Sequence, residues 1–296
     1  MALLAAMLIH SVTTNPNFQW DVVSTYLFSH IMINGLWWTM GLTAGSMVIG
    51  IILGTILAVM RRSTNVLLSK SASLYIWFFR GTPLLVQLIF WYNLATLYPN
   101  LSLGIPFSSI KLSSMSTNAA ISPLTAALLG LGLNQAAYTA EIVRAGILSV
   151  PNGQLDSASS LGMTRGMTMR RVILPQAMRI IIPPLGNETI GMLKTTSLVS
   201  VLAMPELLYS AQLIYARTYQ TIPMLIVACI WYLVLTTILT MIQIPLERRF
   251  SRGAGRPAAT RRIGFRELWS HGISLHSPIA GGPSGSSQPH PGWPVT

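Results

Sequence analysis

Gly35-Leu-Trp-Trp-Thr-Met-Gly-Leu-Thr-Ala-Gly-Ser-Met-Val-Ile-Gly-Ile-Ile-Leu-Gly-Thr-Ile-Leu-Ala-Val-Met60 carries no charged residue and stops at Arg61 and Arg62. About 20 apolar residues suffice to cross a hydrocarbon core, so the stretch predicts a membrane-spanning helix with a basic end. The rest of the chain agrees with it: of 296 residues, 51% are hydrophobic and 9% are charged, against roughly 25% charged in an average soluble domain. Further apolar runs lie at about Pro83 to Leu97, at Pro123 to about Val143, at Pro184 to about Met204, and at Ile222 to Ile244. The second is lengthened on its N-terminal side by Leu74 to Phe79 and interrupted by Arg80, Gly81 and Thr82. The expected fold is an all-α membrane protein with five transmembrane helices. In the first of these, Gly41 and Gly45, then Gly50 and Gly54, recur at the spacing that permits close helix packing.

Lys and Arg near span ends are retained on the cytoplasmic side. Arg61, Arg62, Lys70 and Arg80 follow the first span, and Arg144, Arg165, Arg170, Arg171 and Arg179 follow the third. Tyr98 to Ser122 and Pro205 to Thr221 carry only Lys111 and Arg217 as cations. The N-terminus is therefore expected outside and the C-terminus inside, where Arg248, Arg249, Arg252, Arg256, Arg261, Arg262 and Arg266 accumulate. Met1 to Ile9 resembles a secretory apolar region but lacks a basic stretch before it and a small-residue cleavage site after it, and is read as a nonconforming tail or a misplaced start.

The net charge of +12 invites a nucleic-acid reading, yet the cations sit where topology needs them, and no nucleic-acid partner is expected. Cys229 lies alone in the middle of the fifth run, which excludes disulfides and cysteine metal sites within one chain and is read as packing. The histidines form no close pair at ligand spacing, so no metal site is expected. No Gly-x-x-x-x-Gly-Lys-Ser/Thr loop occurs, which disfavours a self-sufficient ATPase. An intramembrane hydrolase lacks a base, His30 being the one histidine near a span.

Between the third and fourth runs, Ser149 to Arg179 reads as two short helical patterns joined at Gly162. Asn152 is expected to cap the first, Asp156 suits its early turns, and Gly162 supplies a left-handed stop. Thr164 is expected to cap the second and Pro175 to end it. Leu155, Ala158 and Leu161 form a small apolar patch fit for docking on a partner; a plain connecting loop is the competing reading.

Ionisable residues inside a membrane are functional hypotheses by default. At ~100° per residue, Asn187, Gly191, Lys194 and Leu198 align in the fourth run, with Glu188 and Thr195 adjacent. This stripe avoids lipid in one of two ways. It lines the path of a zwitterionic substrate, with Glu188 the favoured contact, or it satisfies its own groups at an inter-subunit interface. Glu141 and Arg144, three apart, suit a salt bridge, while the Arg80-Gly81-Thr82-Pro83 turn sets how the second span enters the bilayer, a substrate role for Arg80 being the competing reading.

The Asp156 to Pro175 segment resembles the Glu-Ala-Ala loop of permease subunits of binding-protein-dependent ATP-binding-cassette importers. Asp156-Ser157-Ala158 stands for Glu-Ala-Ala, Gly162 for its glycine, Val172 for its isoleucine, and Leu174-Pro175 for its end. Phe79 to Gln87, Ala137 to Gly146, Asn187-Glu188 and Lys194 to Leu198 are similar to the polar amino-acid branch of that family, in order, over roughly Gly35 to Arg249. Thr195 departs from the acidic or amide residue usual there.

This resemblance implies an amino-acid importer in the cell membrane, with Asp156, Ala158, Gly162 and Arg165 coupling it to a separate ATPase. Asn187, Glu188, Lys194 and Thr195 are the candidate substrate pathway. It implies two ATPase subunits that carry ATP and Mg, an external binding protein, and a second permease copy or a similar chain. No cofactor on this chain and no enzymatic activity of its own are expected. The expected division is 1–30 as an N-terminal extracytoplasmic segment, 31–250 as the transmembrane domain with its coupling loop at about 149–180, and 251–296 as a cytoplasmic tail without counterpart in the family, which its composition, basic and then rich in Gly, Pro and Ser, reads as disordered. An ion-coupled carrier or channel for small polar solutes is the alternative; it is separated by whether uptake needs ATP.

Overall fold

The computed structural model describes residues 2–104 and 111–251. The tail expected from about Arg252 lies outside the described residues. Helices α1 (Ala2–Thr14) and α2 (Trp20–Leu27) precede α3 (His30–Arg61), α4 (Val66–Gly81), α5 (Leu84–Tyr92) and α6 (Leu94–Leu97). Two antiparallel strands, β1 (Asn100–Gly104) and β2 (Lys111–Ser116), lead into α7 (Thr117–Ala120) and α8 (Pro123–Leu148). Then come α9 (Asn152–Ser160), α10 (Arg165–Thr168), α11 (Leu174–Thr195), α12 (Leu207–Thr218) and α13 (Thr221–Ser251). Among the described residues, α3 and α13 are each long and apolar enough to cross a membrane. Two bent pairs, α4 with α5 and the run Arg165–Leu202 with α12, raise this to four if each pair is one span.

Helix α8 has the length of a span without its apolarity. Asn134, Gln135 and Thr139 are buried in its middle, and the helix runs against α3, α4, α5 and α11. A helix enclosed by other helices needs no lipid-facing apolar surface, which is why polar side chains survive there. Its closest neighbour is α3. A Cβ on Gly54 would stand 2.6 Å from the Thr139 Cβ and 2.7 Å from the Ala136 carbonyl oxygen, and one on Gly50 would stand 2.5 Å from the Gln135 Cγ. Gly45 also faces α8, with Leu128 Cδ2 3.0 Å from a Cβ built there, so three of the four expected glycines line the approach of α3 to α8; Gly41 faces open space and takes no part.

The second expected span is broken rather than straight. Pro83 has no N–H and disfavours helix at Thr82, and α4 and α5 meet at a bend of 101°. Carbonyls freed by such a break need donors in a region without water. The buried Gln87 amide donates to Phe79 O at 3.1 Å, Thr82 O at 3.1 Å and Thr82 Oγ1 at 2.7 Å. Asn134 Nδ2, from α8, donates to the same Phe79 carbonyl at 2.9 Å. The Phe79 to Gln87 stretch is thereby a self-capping corner.

The fourth expected span also differs in its start. Pro183 and Pro184 lie inside α11, which is already under way at Leu174. The helix passes into a 3₁₀ turn at Thr196–Leu202 that ends at Ala203, held at φ 55, and the run bends by 45° before α12. Glu206, fully buried, then caps α12: its carboxylate accepts from Leu208 N at 2.9 Å, Tyr209 N at 2.6 Å and Tyr232 Oη at 2.9 Å. Cys229 sits on an exposed face of α13 rather than packing in the core.

Candidate functional site

The segment between α8 and α11 begins with Pro151 as the residue before α9, so Asn152 is the first helical residue and not the cap expected of it. The hydroxyls of Ser157, Ser159 and Ser160 turn back onto their own helix, donating to Gly153 O, Leu155 O and Asp156 O. Gly162 ends the helix as expected, at φ +69, with Gly162 N donating to Ser159 O and Met163 N to Ala158 O. Such a double closure, with a left-handed residue in it, is a helix stop suited to glycine. Thr164 caps α10 through Met167 N.

Pro175 does not end the second helix. The chain runs from α10 through one wide turn at Met169–Ile173 into α11, with Pro175 in the first turn of α11. The widened turn shifts the backbone ladder just ahead of Pro175, which lets the run pass a residue that has no N–H to give. Helical backbone is therefore continuous from Arg165 to Leu202.

The expected docking patch divides. Ala158 is 3% exposed and Leu161 80%, and Leu155 packs against the cluster that holds Val150, Ile173 and Ala177. Ala158 thus anchors α9 to its own chain, while Asp156, Gly162 and Arg165 lie on the outer surface beside Leu161. Gln176 Nε2 reaches Gln154 Oε1 at 3.4 Å, a further tie between α9 and α11.

On α11 the polar stripe meets two other helices. Glu188 Oε2 accepts from Gln135 Nε2 of α8 at 3.3 Å, and Asn187 Oδ1 accepts from Gln243 Nε2 of α13 at 3.0 Å. Lys194 is exposed and Thr195 half-buried, with its hydroxyl on Gly191 O at 3.0 Å. Glu188 and Asn187 therefore do not share a partner: one leans to α8, the other to α13.

At the end of α3, Glu141 gathers three guanidinium groups. Arg144 Nε donates to Glu141 Oε2 at 2.8 Å, the pair expected from their spacing. Arg61 Nη1 donates to Glu141 Oε1, and Arg80 Nη1 stands 4.0 Å from that oxygen. Arg80 also lies over the Tyr138 ring, 5.3 Å from its centroid. Gln135, Gln243 and this convergence of arginines escaped the sequence reading. Each was visible as a polar residue in an apolar run, but the partners lie 53 to 80 residues apart.

A family model described as binding-protein-dependent transport system inner membrane component matches residues 50–252. The chain is 48% identical over 264 residues, 89% of its own length and 81% of the relative's, to the arginine transport system permease protein ArgU of Corynebacterium glutamicum. It is 37% identical over 243 residues, 82% of its length and 95% of the relative's, to the L-cystine transport system permease protein TcyB of Bacillus subtilis. A crystal structure of an amino acid ABC transporter with histidines superposes with a TM-score of 0.65 at 39% identity, covering 77% of this chain and 98% of that one. An inward-facing MetNI methionine ABC transporter superposes at 0.58 with 18% identity, covering 74% of this chain and 96% of that one, which shows shared fold alone.

Proposed function

This chain belongs to the family of binding-protein-dependent transport system inner membrane components, and we propose that it imports a cationic amino acid of the arginine class. It is the multi-pass inner-membrane permease subunit of an amino-acid ABC importer, forms the translocation pathway, and is not itself the ATPase. ATPase and binding-protein partners follow from membership.

The observation that carries the cargo reading is Glu188, a carboxylate on α11 held by Gln135 of the central helix. A half-buried carboxylate suits a guanidinium, with which it can pair bidentately. Lys194, six residues along α11, suits the cargo's own carboxylate, and Asn187 and Thr195 complete the polar surface. The extent of identity with the arginine permease protein supports the same class. Five spans with the N-terminus outside remain the proposed topology, with α8 as the span that its polarity conceals. Two such chains, or this one with a similar chain, enclose the path.

Coupling runs through the segment hinged at Gly162. Asp156 and Arg165 meet the ATPase, Gly162 holds the angle between them, and Ala158 fastens α9 to the permease so that displacement passes into α11. The permease binds no cofactor of its own; ATP and Mg reside on the ATPase.

Reconstitution with the ATPase in vesicles loaded with ATP, and with the binding protein outside, tests this reading. Arginine uptake is expected only with ATP, and Glu188→Gln is expected to lower it at least tenfold while ATPase content is unchanged. Uptake driven by an ion gradient without ATP favours a secondary carrier and overturns the assignment. Unchanged arginine uptake by Glu188→Gln removes the cargo role alone.

A further inference from the structure

A cavity of about 450 Å³ opens beside the Glu141 cluster, between α4 and α8 at the end of α3. Its wall includes Arg61, Arg80, Glu141, Tyr138, Ser73 and Trp77. Glu141 is the one carboxylate in that wall, and its two oxygens are already taken by Arg61 and Arg144. Arg80, at 4.0 Å, is beyond hydrogen-bonding distance of it, and its side chain is 46% exposed. Three guanidinium groups around one carboxylate leave an excess of two positive charges. Such an excess, at the mouth of a cavity, calls for an anion from outside the chain.

The position of the cavity narrows the class of anion. Arg61 is the last residue of a membrane-crossing helix, which puts the cluster at the edge of the hydrocarbon. Trp77 in the wall is 70% exposed, and Leu74, one turn back on α4, is 63% exposed. A tryptophan and a tyrosine beside guanidinium groups form the amphipathic setting found at headgroup depth. Soluble anions match the charge but leave that apolar side uncovered. We propose that this cavity binds the phosphodiester headgroup of an anionic phospholipid, with Arg80 as its principal contact and the acyl chains lying along Trp77 and Leu74.

Native mass spectrometry of the assembled importer tests this, after release from nanodiscs of phosphatidylcholine in which about one lipid in five is phosphatidylglycerol. The wild-type complex is expected to retain phosphatidylglycerol in preference to phosphatidylcholine. Arg80→Gln is expected to reduce that preference about fivefold, the effect of one cation near a charged surface, and Arg80→Lys to restore much of it. Arg248→Gln removes a like charge at the end of α13 and is expected to leave it unchanged. If Arg80→Gln does not assemble, Ser73→Glu adds a repelling charge to the same wall and is expected to give the same loss. Equal retention of the two lipids by the wild type, or an equal loss in Arg248→Gln, overturns the proposal. Displacement of the lipid by inorganic phosphate at constant ionic strength assigns the cavity to a soluble anion and overturns it as well.

Discussion

Around Gly162 there is open space: nothing stands within 4 Å of where a Cβ would be built. Sterics with neighbours therefore play no part, and the need for glycine comes from its φ of +69 alone. A β-branched residue held there costs about 1–2 kcal/mol, more than the exposed turn regains from any contact, so the angle between α9 and α10 must relax. Gly162→Val is expected to leave the complex in the membrane and lower transport per ATP hydrolysed, read by measuring uptake and phosphate release in the same vesicles. Normal coupling in that variant removes Gly162 from the coupling role. Gly54 is the opposite case, a crowded position with backbone and Thr139 against it. Gly54→Val is expected to destabilise the chain by about 1–3 kcal/mol through overpacking, seen as a lower melting temperature in detergent.

Among the elements, the corner between α4 and α5 depends on side chains more than on its own backbone. Gln87→Leu keeps the volume and removes the donor shared by Phe79 O and Thr82 O. The Phe79 carbonyl keeps Asn134 Nδ2, but the Thr82 carbonyl loses its side-chain donor; such a loss costs about 1–3 kcal/mol, so this variant is expected to melt several degrees lower, with a milder loss for Asn134→Leu because Gln87 still serves both carbonyls. An equal or higher melting temperature in Gln87→Leu rejects that account. Local signals made parts of this structure readable in advance: the uncharged run before Arg61, the glycine stop at Gly162, the Thr164 cap and the Glu141–Arg144 spacing each depend on residues within a few positions. Pro175 and Pro184 misled for a related reason. Proline reports what it forbids at its own nitrogen, while the wide turn at Met169–Ile173 that accommodates the first is a property of the surrounding packing. Likewise, Glu188 was legible as a costly charge in a membrane, but its partner Gln135 belongs to another helix, and no local pattern joins the two.

At the scale of the whole molecule, the proposed topology puts Ser63 and Thr218 on opposite sides of the membrane. Cys229 is the one cysteine of the chain, so Cys229→Ser provides a background in which Ser63→Cys and Thr218→Cys can be labelled singly by an impermeant thiol reagent. Thr218→Cys is expected to react from outside and Ser63→Cys only after permeabilisation; labelling of both from one side rejects the arrangement. The polarity of α8 reaches beyond the finished fold to its manufacture. A helix with Asn134, Gln135 and Thr139 in its middle gains too little from lipid to leave the insertion machinery by itself. It is made after α3, whose Gly50 and Gly54 offer the surface against which Gln135 and Thr139 are later enclosed. Biogenesis then has an order imposed by chemistry: α3 must be in place to receive α8, and a chain lacking α3 should leave α8 stranded in the aqueous phase, where quality-control proteases can reach it.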